Sequence, residues 1–149
     1  MRFSNLSKVT PFLWYKAQAE EAAKFYASIF PNSKIVDSGP MMATFELEGA
    51  QFIAFNGGPA QQLTHAISLF IRCKDQEEID YYWNKLGAGG REVQCGWLVD
   101  KFGLSWQVVP EILGDLLGDD DRVKANRAMQ AMLKMVKLDI AGLKKAHAG

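Results

Sequence analysis

At 149 residues, 48% hydrophobic and 23% charged, the chain has the size and balance of one globular domain or two small modules sharing a core, which excludes disordered and fibrous classes. Seventeen basic residues offset seventeen acidic ones, and without a basic surplus neither nucleic acid nor an anionic membrane is expected as a partner. Two cysteines, Cys73 and Cys95, are too few for a disulfide framework, and neither a signal-peptide run nor a membrane-length apolar stretch occurs, so a cytoplasmic soluble protein is expected.

The first element is a short run of strand formers, Lys8 to Trp14. A helical pattern follows from Glu20 to Phe30, where Ala22, Ala23, Tyr26, Ile29 and Phe30 recur at the 3.6-residue period. Three strand candidates come next, at 34–38, 42–48 and 51–55, separated by turns at Gly49 and Gly57-Gly58. The order then repeats. His65 to Ile71 reads as a strand and Gln76 to Leu86 as a helix with Ile79, Tyr82, Trp83 and Leu86 on one face. Asp75 and Glu78 form a capping pair at its start, and Gly87 ends it. Strands are predicted at 91–94, 97–99 and 104–109. Asp100-Lys101-Phe102-Gly103 reads as the turn between the last two.

The two halves superpose at a shift of 57 residues, the distance from Glu20 to Glu77, giving βαβββ twice. Four strands and one helix leave one sheet face bare, so the expected solution is a pair of curved mixed sheets around a shared concavity. The expected fold class is therefore α+β, one domain with modules at about 6–61 and 62–113 hinged near Leu63–Thr64. A tail at about 114–149 completes the chain. Within it, Pro110 suits the start of a short helix over 111–117, and Asp119-Asp120-Asp121 suits the positive end of a long amphipathic helix reaching Ala146. The predicted stripe of that helix is Ala125, Met129, Met132, Leu133, Val136, Ile140 and Leu143.

Large aromatics gather on or beside the strands. Alternation along 104–109 puts Ser105, Gln107 and Val109 on one face, and Leu104, Trp106 and Val108 on the other. If Gln107 faces the cavity, Trp106 is core. The pocket candidates are then Trp14, Phe52, Asn56, His65, Cys95, Trp97, Phe102 and Gln107. Cys95 with His65 as a thiolate dyad is a weaker reading, since no third group orients the pair. Cys73 follows an apolar strand and is expected to be buried and inert.

Several segments carry a resemblance. They are Val9-Thr10-Pro11-Phe12-Leu13-Trp14-Tyr15, Ala22-Ala23-Lys24-Phe25-Tyr26, Asn56-Gly57-Gly58-Pro59, the block from Cys95 to Gln107, and Met135-Val136-Lys137-Leu138-Asp139-Ile140. Together they resemble the PhnB-like family, often labelled "3-demethylubiquinone-9 3-methyltransferase". That family is a branch of the vicinal oxygen chelate superfamily, alongside glyoxalase I, the extradiol dioxygenases and the fosfomycin- and bleomycin-resistance proteins. The resemblance implies a homodimer and a glyoxalase-like fold.

It also implies a place to look for a divalent ion, held by His or Gln and Glu from the first and last strand of each module. His65 and Gln107 stand at two such places and are the weak metal candidates. Lys8, which the 57-residue shift lays under His65, has no lone pair to give, and Ile53 or Ala54 opposite Gln107 cannot ligate. The metal centre therefore reads as degraded, and no cofactor is expected. A methyltransferase is not expected either, because neither Gly57-Gly58 nor Gly87, Gly89 and Gly90 forms a strand, glycine turn and helix. The leading expectation is a small-molecule-binding protein, its catalytic status open. One alternative is a metal-dependent lyase, isomerase or dioxygenase with an unusual ligand set. Another is an antibiotic-sequestering protein.

Overall fold

The structure is a computed structural model and describes residues 2–149. The chain divides into two compact units, the boundary falling between Thr64 and His65. In the first, β1 (Phe12–Tyr15), α1 (Ala19–Ile29), β2 (Ser33–Ser38), β3 (Met42–Leu47) and β4 (Ala50–Asn56) follow a short 3-10 turn at Phe3–Asn5. The sheet order is β1-β4-β3-β2, with β1 parallel to β4 and the other pairs antiparallel.

Helix α1 forms where the apolar period predicted it. Ala22, Ala23 and Tyr26 are fully buried against the sheet, while Glu20 and Glu21 meet the positive end of the helix. Beneath it lie Leu13, Tyr15, Phe45 and Phe52; the Phe45 and Phe52 rings stack at 5.3 Å, and the Tyr15 and Tyr26 hydroxyls meet at 3.0 Å. The β3–β4 hairpin closes through Glu48 and Gly49, both at positive φ (48° and 86°), the pairing a two-residue turn of this hand requires.

The second unit repeats the order with β5 (Ser68–Cys73), α2 (Gln76–Gly87), β6 (Arg91–Glu92), β7 (Trp97–Val99) and β8 (Ser105–Pro110), arranged β5-β8-β7-β6. Asp75 caps α2 by accepting from the Glu78 amide at 2.9 Å, as the capping pair predicted. Ile79, Tyr82, Trp83 and Leu86 are buried on the same side of the sheet as Leu98, Trp106 and Val108. The turn at 100–103 is organised by one buried carboxylate. Asp100, 3% exposed, accepts from the Phe102 amide (2.8 Å), the Leu104 amide (3.1 Å) and the Trp106 indole (2.8 Å). Both oxygens are thereby used, and Trp106 is core, as alternation implied.

The helical shift of 57 does not carry over to the strands. Phe12 pairs with Ile53, whereas Phe70 pairs with Gln107, and both pairs lie on the face opposite the helix. The first strands therefore correspond at 58 residues, an even step. An odd step would turn every side chain over. The equivalent of His65 is Ser7 rather than Lys8. The match is chemical too: Ser7 hydrogen-bonds Gln51 on β4 as His65 hydrogen-bonds Ser105 on β8.

The tail differs from expectation. The short helix is present as α3 (Ile112–Leu117), but two helices, α4 (Arg122–Leu133) and α5 (Ile140–Ala148), replace the long one. The predicted long helix breaks across 134–139, because that stretch has better partners elsewhere. The Met135 and Val136 carbonyls accept from the amides of Cys95 (2.9 Å) and Gly96 (2.8 Å). The Gln76 side chain grips the next residues, donating to the Leu138 carbonyl at 3.1 Å and accepting from the Ile140 amide at 2.9 Å. Asp139 then caps α5 through the Gly142 amide. Of the predicted stripe, Ala125 and Leu143 are buried, whereas Leu133 and Val136 are exposed; Leu138, outside the stripe, joins Leu143, Val109, Leu113, Leu116 and Ala128 in the core. No helix among the described residues is long and apolar enough to cross a membrane.

Candidate functional site

The face of the second sheet away from α2 is built in rows. β5, β8 and β7 place Phe70, Gln107 and Trp97 side by side. The neighbouring row is Ser68, Ser105, Val99 and Arg91. Gln107 is anchored by its amide, whose Nε2 donates to the Ser68 hydroxyl at 3.0 Å. Over the first row lies a cavity of about 360 Å³, its other wall supplied by Leu113, Gly114 and Leu117 of α3 and Met132 of α4. Cys95 completes the floor beside Trp97. Its φ of 60°, rare for a residue with a Cβ, follows from the turn that sends the Cys95 and Gly96 amides to the tail. Arg72 and Glu111 form an ion pair at the exposed edge.

His65 stands over the second row. Its Nδ1 lies 2.8 Å from the buried Ser105 hydroxyl, and its Nε2 lies 3.4 Å from a guanidinium nitrogen of Arg91. Because the guanidinium only donates, Nε2 is the accepting nitrogen and Nδ1–H donates to Ser105. The ring meets Trp97 edge-on, centroids 5.6 Å apart. Trp97 thus belongs to both rows.

Of the predicted pocket residues, Cys95, Trp97 and Gln107 line this cavity and His65 adjoins it through Trp97. The others lie elsewhere. Phe102 sits in the 100–103 turn, its ring beneath the Lys101 ammonium at 5.3 Å. Phe52 packs on the helix side of the first sheet, because alternation in β4 sets it opposite to Ile53 and Phe55. Asn56 spends its amide on the backbone: Oδ1 accepts from Ala19 at the start of α1, and Nδ2 donates to the Pro40 carbonyl. Trp14 lies on the open face of the first sheet against Phe55, its indole donating to the Gly58 carbonyl. A Cβ on Gly57 would stand 2.1 Å from the Trp14 ring, which accounts for glycine there.

Sequence reasoning missed Phe70, Arg72 and Arg91. Alternation along β5 would have found the first two; Arg91 needed the pairing of β6 with β7. Cys73 is fully buried, and burial, with Glu78 adding to it, pushes its thiol up to about 12, so it stays protonated and inert as expected.

The model of the family described as 3-demethylubiquinone-9 3-methyltransferase matches residues 7–109. The chain belongs to that family. The family's solved relatives include a putative 3-demethylubiquinone-9 3-methyltransferase, PhnB protein, from Bacillus cereus, 34% identical over 70% of this chain and 99% of that one, with a TM-score of 0.64. The fosfomycin resistance protein FosX from Listeria monocytogenes, determined with Mn(II) and sulfate, shares the fold at 20% identity, covering 84% and 99% of the two chains with a TM-score of 0.56. Protein PA1353 from Pseudomonas aeruginosa does so at 17% identity over 70% and 98%, with a TM-score of 0.58. No curated protein matches. With these neighbours the chain shares the glyoxalase-like α+β fold. The family match ends at Val109, so α3, α4 and α5, with the 135–140 motif, lie beyond it.

Proposed function

We propose that the chain binds a small molecule with an apolar body in the cavity between the second sheet and α3–α4, and that it does so without a divalent ion. The observation that carries the reading is the cavity itself. At about 360 Å³ it falls in the range of small-ligand sites, and its walls are indole, phenyl, thioether and leucine with few polar groups inside, chiefly the Gln107 amide and the Cys95 thiol.

The residues suit a superfamily-type metal poorly. Both ring nitrogens of His65 are engaged, one of them by a cation, and Gln107 offers only the oxygen of a neutral amide, a weak ligand. Among the described residues no group of three His, Cys, Asp or Glu side chains is gathered to share an ion. The methyl-transfer label finds no support in the glycines, since Gly57-Gly58 folds over Trp14 and Gly89-Gly90 leads into β6 rather than into a helix.

Gly114 gives a clean test. It lines the cavity, and a Cβ there meets nothing within 4 Å. Gly114→Leu is expected to leave Tm unchanged or slightly raised, because leucine favours helix over glycine by roughly 0.5–1 kcal/mol. The same change is expected to abolish the thermal shifts that small aromatic compounds give with the unaltered protein. Binding that survives the substitution overturns the cavity assignment. Protein purified without chelator is expected to hold well under one equivalent of transition metal, and one tight equivalent per chain overturns the metal-free reading.

A further inference from the structure

Resting on that cavity assignment, we propose that the ligand is an organic anion whose carboxylate is received by Arg91, which His65 positions, at the side of the cavity. The row that ends in Arg91 is the next same-face row to the one that lines the cavity, and such rows stand roughly 7 Å apart. A ring lying on Trp97 and Gln107 with a carboxylate directly attached spans that distance.

The charge pattern selects an anion. Arg91 is exposed and turned onto the His65 imidazole, and none of the ion pairs among the described residues uses it. Its neighbour Glu92 is engaged by the Trp83 indole. Arg72, at the other edge of the cavity, is by contrast closed by Glu111. One guanidinium fork is therefore left unneutralised beside an apolar hollow, and a carboxylate is the group that matches its paired N–H donors. The imidazole that holds it is fixed from behind by Ser105 and from the side by Trp97, so the site is set before any ligand arrives.

The test uses two probes of one shape, 2-naphthoate and the neutral 2-naphthamide, measured by calorimetry on the full chain at low salt. The carboxylate is expected to bind at least about tenfold more tightly, from charge-assisted hydrogen bonding. Arg91→Gln retains a donor toward His65 at an exposed position. It is expected to erase that preference while leaving the naphthamide affinity and the Tm unchanged. Equal binding of the two probes, or a preference that survives Arg91→Gln, overturns the inference and leaves the cavity assignment standing if Gly114→Leu still blocks both. Binding of neither probe overturns both.

Discussion

Asp100→Ala is expected to lower the unfolding free energy by about 3–4 kcal/mol, because it leaves two backbone amides and one buried indole without an acceptor. Asn at the same position keeps one oxygen and the shape, so roughly half that loss is expected, the remaining amide nitrogen facing donors it cannot satisfy. Urea unfolding followed by circular dichroism measures both. A loss under about 1 kcal/mol for Ala would show that water replaces the carboxylate. The position matters beyond stability, since the turn sets the register of β7 on β8, and that register brings Trp97 beside Gln107.

Gly96→Ala is the second large effect. The backbone there has φ of 82°, and a Cβ would stand 2.9 Å from the Val108 carbonyl and 3.0 Å from Leu138. The left-handed conformation alone costs a residue with a Cβ about 1–2 kcal/mol, and the contact with a backbone carbonyl cannot be relieved by a rotamer change. A total of about 3 kcal/mol is expected, with faster amide exchange concentrated in the 134–140 segment that Gly96 and Cys95 hold. Uniform loss of protection with no excess there would show that the tail docks by other means.

How legible the molecule was depends on which period governs each element. The helices were read closely, because Ala22, Tyr26, Ile79 and Trp83 repeat at a spacing that only one face can bury. The turn at 100–103 was legible from its residues. The strands were found but not their correspondence, since a slip of one position is invisible to composition yet inverts the face; hence Lys8 was set against His65 where the ladder puts Ser7. Asn56 and Phe52 were assigned to a pocket on strand-end polarity and aromatic character, and neither property reports whether an amide will be taken by a helix start nearby. The tail misled for a different reason. Residues 134–139 have good intrinsic helix formers, and only the competing hydrogen bonds to Gln76, Cys95 and Gly96 make the helix stop.

The end of the family match at Val109 divides the cavity. The cavity floor, Phe70, Trp97 and Gln107, falls inside the stretch that defines the family, while its ceiling, Leu113, Gly114, Leu117 and Met132, falls outside. The family likeness therefore accounts for one wall of the hollow, and the opposite wall is this chain's own α3 and α4. Because residues 135 and 136 also receive the Cys95 and Gly96 amides, an exchange of the tail would disturb the floor together with the ceiling.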